Sequence, residues 1–203
     1  EDNKSDIKKL SRQFLNVTFL ISVPCCCGII LVADQIVEVL FGVEFLPAIS
    51  TIRILSILIV LMPLSGGVFC QLLLTAGKEK SYLACVLIGT VVNAVLNYLL
   101  IPTFTQNGAA IASVVAEFTV SISMIVATRR TIKVNMCCRD VFSILTSAFV
   151  MSLTLVLCRK LFFGQAVWMR LLVEIVIAVL VYFLCVFMLK NSASSKIIRM
   201  IKK

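Results

Sequence analysis

Histidine is absent from this chain of 203 residues, tryptophan occurs once, and Asp, Glu, Lys and Arg together supply only 14% of positions. A soluble domain carries about 25% charged residues. The scarcity excludes an ordinary water-soluble fold, because 61% of the residues are hydrophobic and too few polar groups remain to cover them. Apolar surface on that scale needs lipid as its solvent. The missing histidines, and the lack of any C-x-x-C pair among the nine cysteines, speak against a zinc site. No signal-peptide pattern is seen: Glu1 to Arg12 is polar and of mixed charge, and no small-residue cleavage site follows the first apolar run. The sequence does not begin with Met, so a longer protein with its N-terminus upstream is expected.

The cysteines read as small apolar side chains rather than as a disulfide framework. Cys25, Cys26 and Cys27 sit together in an apolar run, and Cys70, Cys85, Cys158 and Cys185 lie in or beside others. Cys137 and Cys138 fall in a basic segment assigned below to the cytoplasm, where thiols stay reduced.

A membrane helix needs about 20 mostly apolar residues. Six segments meet or approach this: Phe14 to Val32, Ile54 to Leu74, Tyr82 to Ile101, Gly108 to Thr128, Val141 to Cys158 and Leu171 to Leu189. The runs are continuously apolar rather than alternating, which predicts helices and not barrel strands. The fold class expected is therefore an all-α membrane protein with six transmembrane helices.

Basic residues set the orientation. With six crossings, one side of the membrane holds Lys4, Lys8, Lys9, Arg12, Lys78, Lys80, Arg129, Arg130, Lys133, Arg139, Lys190, Lys196, Arg199, Lys202 and Lys203, and the other holds Arg53, Arg159, Lys160 and Arg170. Fifteen against four predicts both termini in the cytoplasm. The net charge of +9 is then a topology signal, not a nucleic-acid face, since the cations are scattered over separate segments. The tail cations also suit anionic headgroups. The chain divides into a cytoplasmic segment (1–13), four transmembrane helices (14–128), a basic cytoplasmic loop (129–140), two additional helices (141–189) and a basic cytoplasmic tail (190–203). Between the first two helices, Ile36, Val37, Leu40, Phe41 and Val43 suit an interfacial helix, followed by a turn near Pro47.

Small and polar residues mark helix faces that meet protein or a wet cavity. Gly108, Ala112 and Ala116 recur at spacing four, as do Gly89, Asn93 and Asn97, so each set shares one helix face. Plain helix packing accounts for most of this pattern. Glu117 stands out, because an ionised acid near the centre of a membrane helix costs at least about 2.5 kcal/mol. It is either a proton- or ion-coupling site or substrate contact, or a carboxyl hydrogen-bonded to Asn93, Asn97 or another helix. Arg53 is expected to begin the second helix at the outer interface, snorkelling to headgroups or meeting an anionic substrate. Gln71 lies near the cytoplasmic end of that helix and either lines a cavity or caps a neighbour. Arg170 and Glu174 are spaced to pair along one helix. Pro24 and Pro63 should bend their helices, with Gly66 and Gly67 loosening the second further; broken helices beside polar cavities are common in transporters.

Four stretches carry a resemblance: Val39 to Ala48 (VLFGVEFLPA), Gln71 to Lys80 (QLLLTAGKEK), Val91 to Pro102 (VVNAVLNYLLIP) and Asn107 to Glu117 (NGAAIASVVAE). In order and spacing, over about residues 10 to 130, they resemble the C-terminal half of polysaccharide biosynthesis flippases, including O-antigen and teichuronic acid exporters, within the multidrug/oligosaccharidyl-lipid/polysaccharide exporter superfamily. The resemblance implies two six-helix lobes around a central cavity. Such proteins move undecaprenyl-pyrophosphate-linked sugars from the cytoplasmic to the outer leaflet of the cytoplasmic membrane by alternating access. Residues 14–128 would be the last four helices of the second lobe, and 141–189 two peripheral ones. An N-terminal lobe or a partner chain would supply the rest.

A charged, sugar-bearing headgroup crossing hydrocarbon needs a hydrated path lined by polar groups. Arg53, Gln71, Asn93, Asn97 and Glu117 are the candidates for that lining. No catalytic residue, metal site or cofactor is expected beyond a coupling ion, H+ or Na+. Two other readings stay open. A cation-coupled multidrug exporter of the same superfamily would want more acidic or aromatic lining. A membrane-embedded glycosyltransferase or polymerase would need acids or bases at the outer surface, where Asp34, Glu38 and Glu44 are the only acids. A structural subunit completed by a partner is a further alternative.

Overall fold

A computed structural model describes residues 2–129, 138–161 and 166–189, with side chains described from residue 9 onward. Every described element is helical: α1 (Asp2–Leu40), a 3-10 turn (Val43–Phe45), α2 (Ala48–Leu55), α3 (Leu58–Met62), a π-helical segment (Pro63–Phe69), α4 (Cys70–Thr75), α5 (Glu79–Arg129), α6 (Cys138–Leu161) and α7 (Val167–Met188). Among the described residues, five helical stretches are long and apolar enough to cross a membrane.

The fifth and sixth expected crossings match α6 and α7 within a turn or so at each end. The first lies inside the longer α1. The second is a composite, because α2, α3, the π-helical segment and α4 together make the stretch Ala48–Thr75. The third and fourth share α5, whose 51 residues would extend about 76 Å as a straight helix, against a hydrocarbon core of about 30 Å. Its backbone leaves helical geometry at Thr105 (φ 50°, ψ −125°), so the expected connection near Pro102 is a one-residue kink three positions later. The interfacial helix expected before Pro47 does not form as a separate element. Ile36, Val37 and Leu40 extend α1, with Val37 fully buried, and only a 3-10 turn separates it from the next crossing. A turn does fall at Leu46 and Pro47.

The chain packs as two compact units, residues 1–18 with 54–135 and residues 19–53 with 136–203. In the first, the two halves of α5 fold back on each other. A Cβ on Gly89 would overlap Val120 Cγ2, and one on Gly108 would overlap the Leu100 carbonyl. The stripe Gly108, Ala112 and Ala116 is buried, so close packing is its job, as small residues in membrane helices allow. Hydroxyls on the outer faces serve themselves. Thr103 and Thr119 each donate to the carbonyl four residues back, which lets them face hydrocarbon without an unmet donor.

In the second unit, residues of α1 from Phe19 onward pack with α6 and α7 around Leu20, Ile144, Met151, Leu155, Tyr182 and Val186. Pro24 lies inside α1 and has no N–H to give the Leu20 carbonyl. Tyr182 fills the gap: its hydroxyl donates to Leu20 O at 2.8 Å. Towards the end of α1 the unit becomes polar. Gln35 donates to Glu174 at 2.8 Å, Arg170 Nε lies 3.4 Å from the same carboxylate, and Arg159 pairs with Asp34. The pairing of Arg170 with Glu174 is thus realised, with Glu174 1% exposed.

The cysteines follow their expected character in part. Cys70, Cys85 and Cys158 are buried, Cys26, Cys27 and Cys185 are half-buried, and Cys25 and Cys138 are exposed; all eight are free thiols. Cys138 opens α6 rather than lying in a loop, and Cys137 lies outside the described residues.

Tyr182→Phe leaves the Leu20 carbonyl without a donor in an apolar core and should destabilise by about 1–3 kcal/mol. In a Pro24→Ala background the helix supplies its own donor, and the same substitution should cost clearly less. Thermal unfolding of the four variants in detergent measures the difference.

Candidate functional site

Within the first unit a cavity of about 650 Å³ opens between the α3 and π-helical stretch and the α5 hairpin. Its walls follow helical periodicity. Leu58, Met62, Ser65 and Gly66 come from one stretch, Tyr82, Val86, Gly89, Thr90, Asn93 and Ala94 from the first half of α5, and Ser113, Ala116, Glu117, Val120 and Met124 from the second. Gly66, whose missing Cβ would meet nothing within 4 Å, leaves room; Asn93, Thr90, Ser113, Ser65 and Glu117 make it polar. Glu117 is the one charged residue among those lining it, and none of them is basic.

The Glu117 carboxylate accepts a hydrogen bond from Ser65. Ser65 belongs to the π-helical segment and is 2% exposed. Its hydroxyl also lies 3.1 Å from Leu61 O and 3.3 Å from Met62 O. Asn97 Nδ2 donates to Asn93 Oδ1 at 2.6 Å, which turns the amide group of Asn93 into a fixed feature of the cavity wall. Asn97 itself is not a lining residue.

The five residues singled out in the sequence therefore separate. Asn93 and Glu117 meet at the cavity, and Asn97 supports Asn93 from one turn on. Gln71 is exposed and lines a different cavity of about 530 Å³ with Leu10, Ser11, Phe14, Gly67 and Thr75. Helical spacing explains this, since Gln71 shares a face with Gly67 and Thr75, not with Met62 and Gly66. Arg53 belongs to the second unit, where its Nε donates to Ile30 O at 3.1 Å. It sits in the last turn of α2 rather than opening the second crossing, which starts at Ala48. Ser65 was not singled out. Its signal was present in Pro63, Gly66 and Gly67, which disrupt the α-helical ladder around it, but the partner 52 residues away is not readable from spacing.

The helical architecture, with several stretches long and apolar enough to cross a membrane and a polar cavity beside a distorted span, is that of a multi-pass membrane protein. The lipid II flippase MurJ family matches over residues 1–182, and the chain belongs to that family, a family of transporters rather than enzymes. Among solved structures, a chain described as lipid II flippase MurJ in an inward closed conformation shares the fold, with a TM-score of 0.74 and 14% identity. The match covers all of this chain and 41% of that one, so this chain spans about two fifths of its length. Among curated proteins, none matches this sequence. The membership refines the resemblance read from residues 10 to 130: the flippase class stands, with the MurJ family as the matching branch.

Glu117→Leu removes a charge that the membrane disfavours by about 2.5 kcal/mol or more, while Ser65 keeps its own helix's carbonyls as acceptors. The variant should therefore melt no lower than wild type in detergent. A marked drop in melting temperature would show that the carboxylate is there for stability.

Proposed function

We propose that the chain is part of a flippase that carries a lipid-linked oligosaccharide or polysaccharide precursor across the cytoplasmic membrane by alternating access. Membership of the MurJ family over residues 1–182 carries this reading. The polar cavity supports it, because sugar hydroxyls need amide and carboxylate partners when they leave water, and Asn93 and Glu117 present both. No basic residue lines this cavity, so pyrophosphate charge would be met outside it. Glu117 is then left for sugar hydroxyls or for a coupling ion, H+ or Na+. Lipid II, after which the family is named, heads the candidate substrates, and undecaprenyl-pyrophosphate-linked glycans of the O-antigen type fall in the same chemical class. The excess of Lys and Arg on one side supports cytoplasmic termini.

Reconstituted as the full-length protein, it should move a fluorescent lipid-linked glycan between leaflets, and Glu117→Gln should slow this about tenfold, the scale of one hydrogen bond to a charged group. Running lipid II and an O-antigen-type precursor in parallel identifies the glycan. Export of a cationic dye without lipid movement would favour the multidrug reading, and chemical conversion of the glycan would favour an enzyme. A tag placed after Lys203 should resist external protease in intact cells; digestion would invert the topology.

A further inference from the structure

The Ser65 hydroxyl has one proton and three acceptors in reach: the Glu117 carboxylate, Leu61 O at 3.1 Å and Met62 O at 3.3 Å. A hydroxyl donates to one acceptor at a time, so its choice depends on which acceptor is strongest. An ionised carboxylate is roughly twice as strong an acceptor as a neutral carbonyl. The hydroxyl sits in Pro63–Phe69, the π-helical part of the second crossing. Single π-turns in α-helices are uncommon and recur at functional sites. Pro63 gives no N–H, and a Cβ added to Gly66 or Gly67 would meet nothing within 4 Å, so packing is loose around Ser65, while Val68 and Phe69 anchor the far end of the segment by burial. The facing elements contribute one other titratable group to the cavity, Tyr82, and no other charged one.

We propose that Ser65 is a positioning residue that links the charge of Glu117 to the conformation of the π-helical segment. With Glu117 ionised, the hydroxyl is donated across the cavity and holds residues 63–69 against α5. When a proton neutralises Glu117, the carboxyl becomes a weaker acceptor, the hydroxyl returns to Leu61 O as in an ordinary helical serine, and the segment is released from α5. Under the flippase reading, on which its use in transport rests, this ties the state of one carboxyl to the shape of one wall of the path. The latch itself is a property of the fold and is tested without transport.

The test is hydrogen–deuterium exchange of the full chain in lipid nanodiscs, followed by peptide mapping over residues 63–69. Ser65→Ala, and Glu117→Gln as a mimic of the neutral acid, should each speed exchange in this segment about tenfold, with α7 unchanged. The double variant should be no faster than either single one, because both remove the same interaction. Ser65→Thr, which keeps the hydroxyl, should restore protection. Wild-type protection in Ser65→Ala would overturn the proposal, as would additive effects in the double variant or acceleration spread equally into α7. A flipping assay on the same variants separates the two ideas: a latch without lipid movement leaves the proposal standing and removes the flippase reading.

Discussion

In hydrocarbon a backbone polar group has no water to fall back on, so a break in a spanning helix must be repaired by a side chain or by another part of the backbone. The three prolines inside spans of this chain each meet that constraint differently. At Pro24 the orphaned Leu20 carbonyl receives the Tyr182 hydroxyl, and α1 stays helical throughout. At Pro63 the helix widens to a π-helical segment. At Pro102 the helix persists for two more residues and then reverses at Thr105. The positive-φ backbone there costs a residue with a Cβ about 1–3 kcal/mol, which the antiparallel packing of the two halves of α5 offsets.

The first repair makes a rigid core and the second makes a site. Filling the Leu20 carbonyl from α7 ties two crossings together at a fixed register, in the same unit as the buried Gln35, Glu174 and Arg170 group. Buried charge of that kind is weak evidence of stability but strong evidence of a fixed arrangement, since separating the partners would strand a carboxylate in an apolar interior. The π-helical repair has no comparable anchor. It turns Ser65 towards α5, where the strong acceptor is Glu117. A distorted span, a buried hydroxyl and an intramembrane acid are thus one local solution to the same backbone problem, and the cavity exists because small residues on the facing helices leave it unfilled.

Much of this was legible in the sequence, and the limits have a physical origin. Continuous apolar runs marked the last two crossings within a turn or so and lie inside the longer helical stretches of the others, because bilayer thickness sets the apolar length needed and not where a helix ends. The Gly108, Ala112 and Ala116 stripe announced a packed face, and Glu117 announced itself by its cost. The failures concern register. A single chain carries no direct record of which turn of one helix faces which turn of another, so Tyr182 with Leu20, 162 residues apart, and Ser65 with Glu117 could not be paired. Gln71 is a different case. It lines a cavity, as one reading had it, but periodicity sets it a face away from Met62 and Gly66 and so in a different cavity from Glu117. The interfacial helix before Pro47 was mistaken because an apolar segment lying on the membrane and one extending a crossing share the same composition.

The electrostatics of the cavity constrain any mechanism built on it. When ionised, the lone carboxylate lining the cavity repels a pyrophosphate, and no basic lining residue offsets it. Three arginines of the second unit are engaged within it: Arg53 with Ile30 O, Arg159 with Leu31 O and Asp34, and Arg170 with Glu174. Most of their charge is thereby matched within the fold. Under the flippase reading proposed above, this cavity is then an acidic, amide-bearing wall suited to sugar hydroxyls, and pyrophosphate charge would be met outside it.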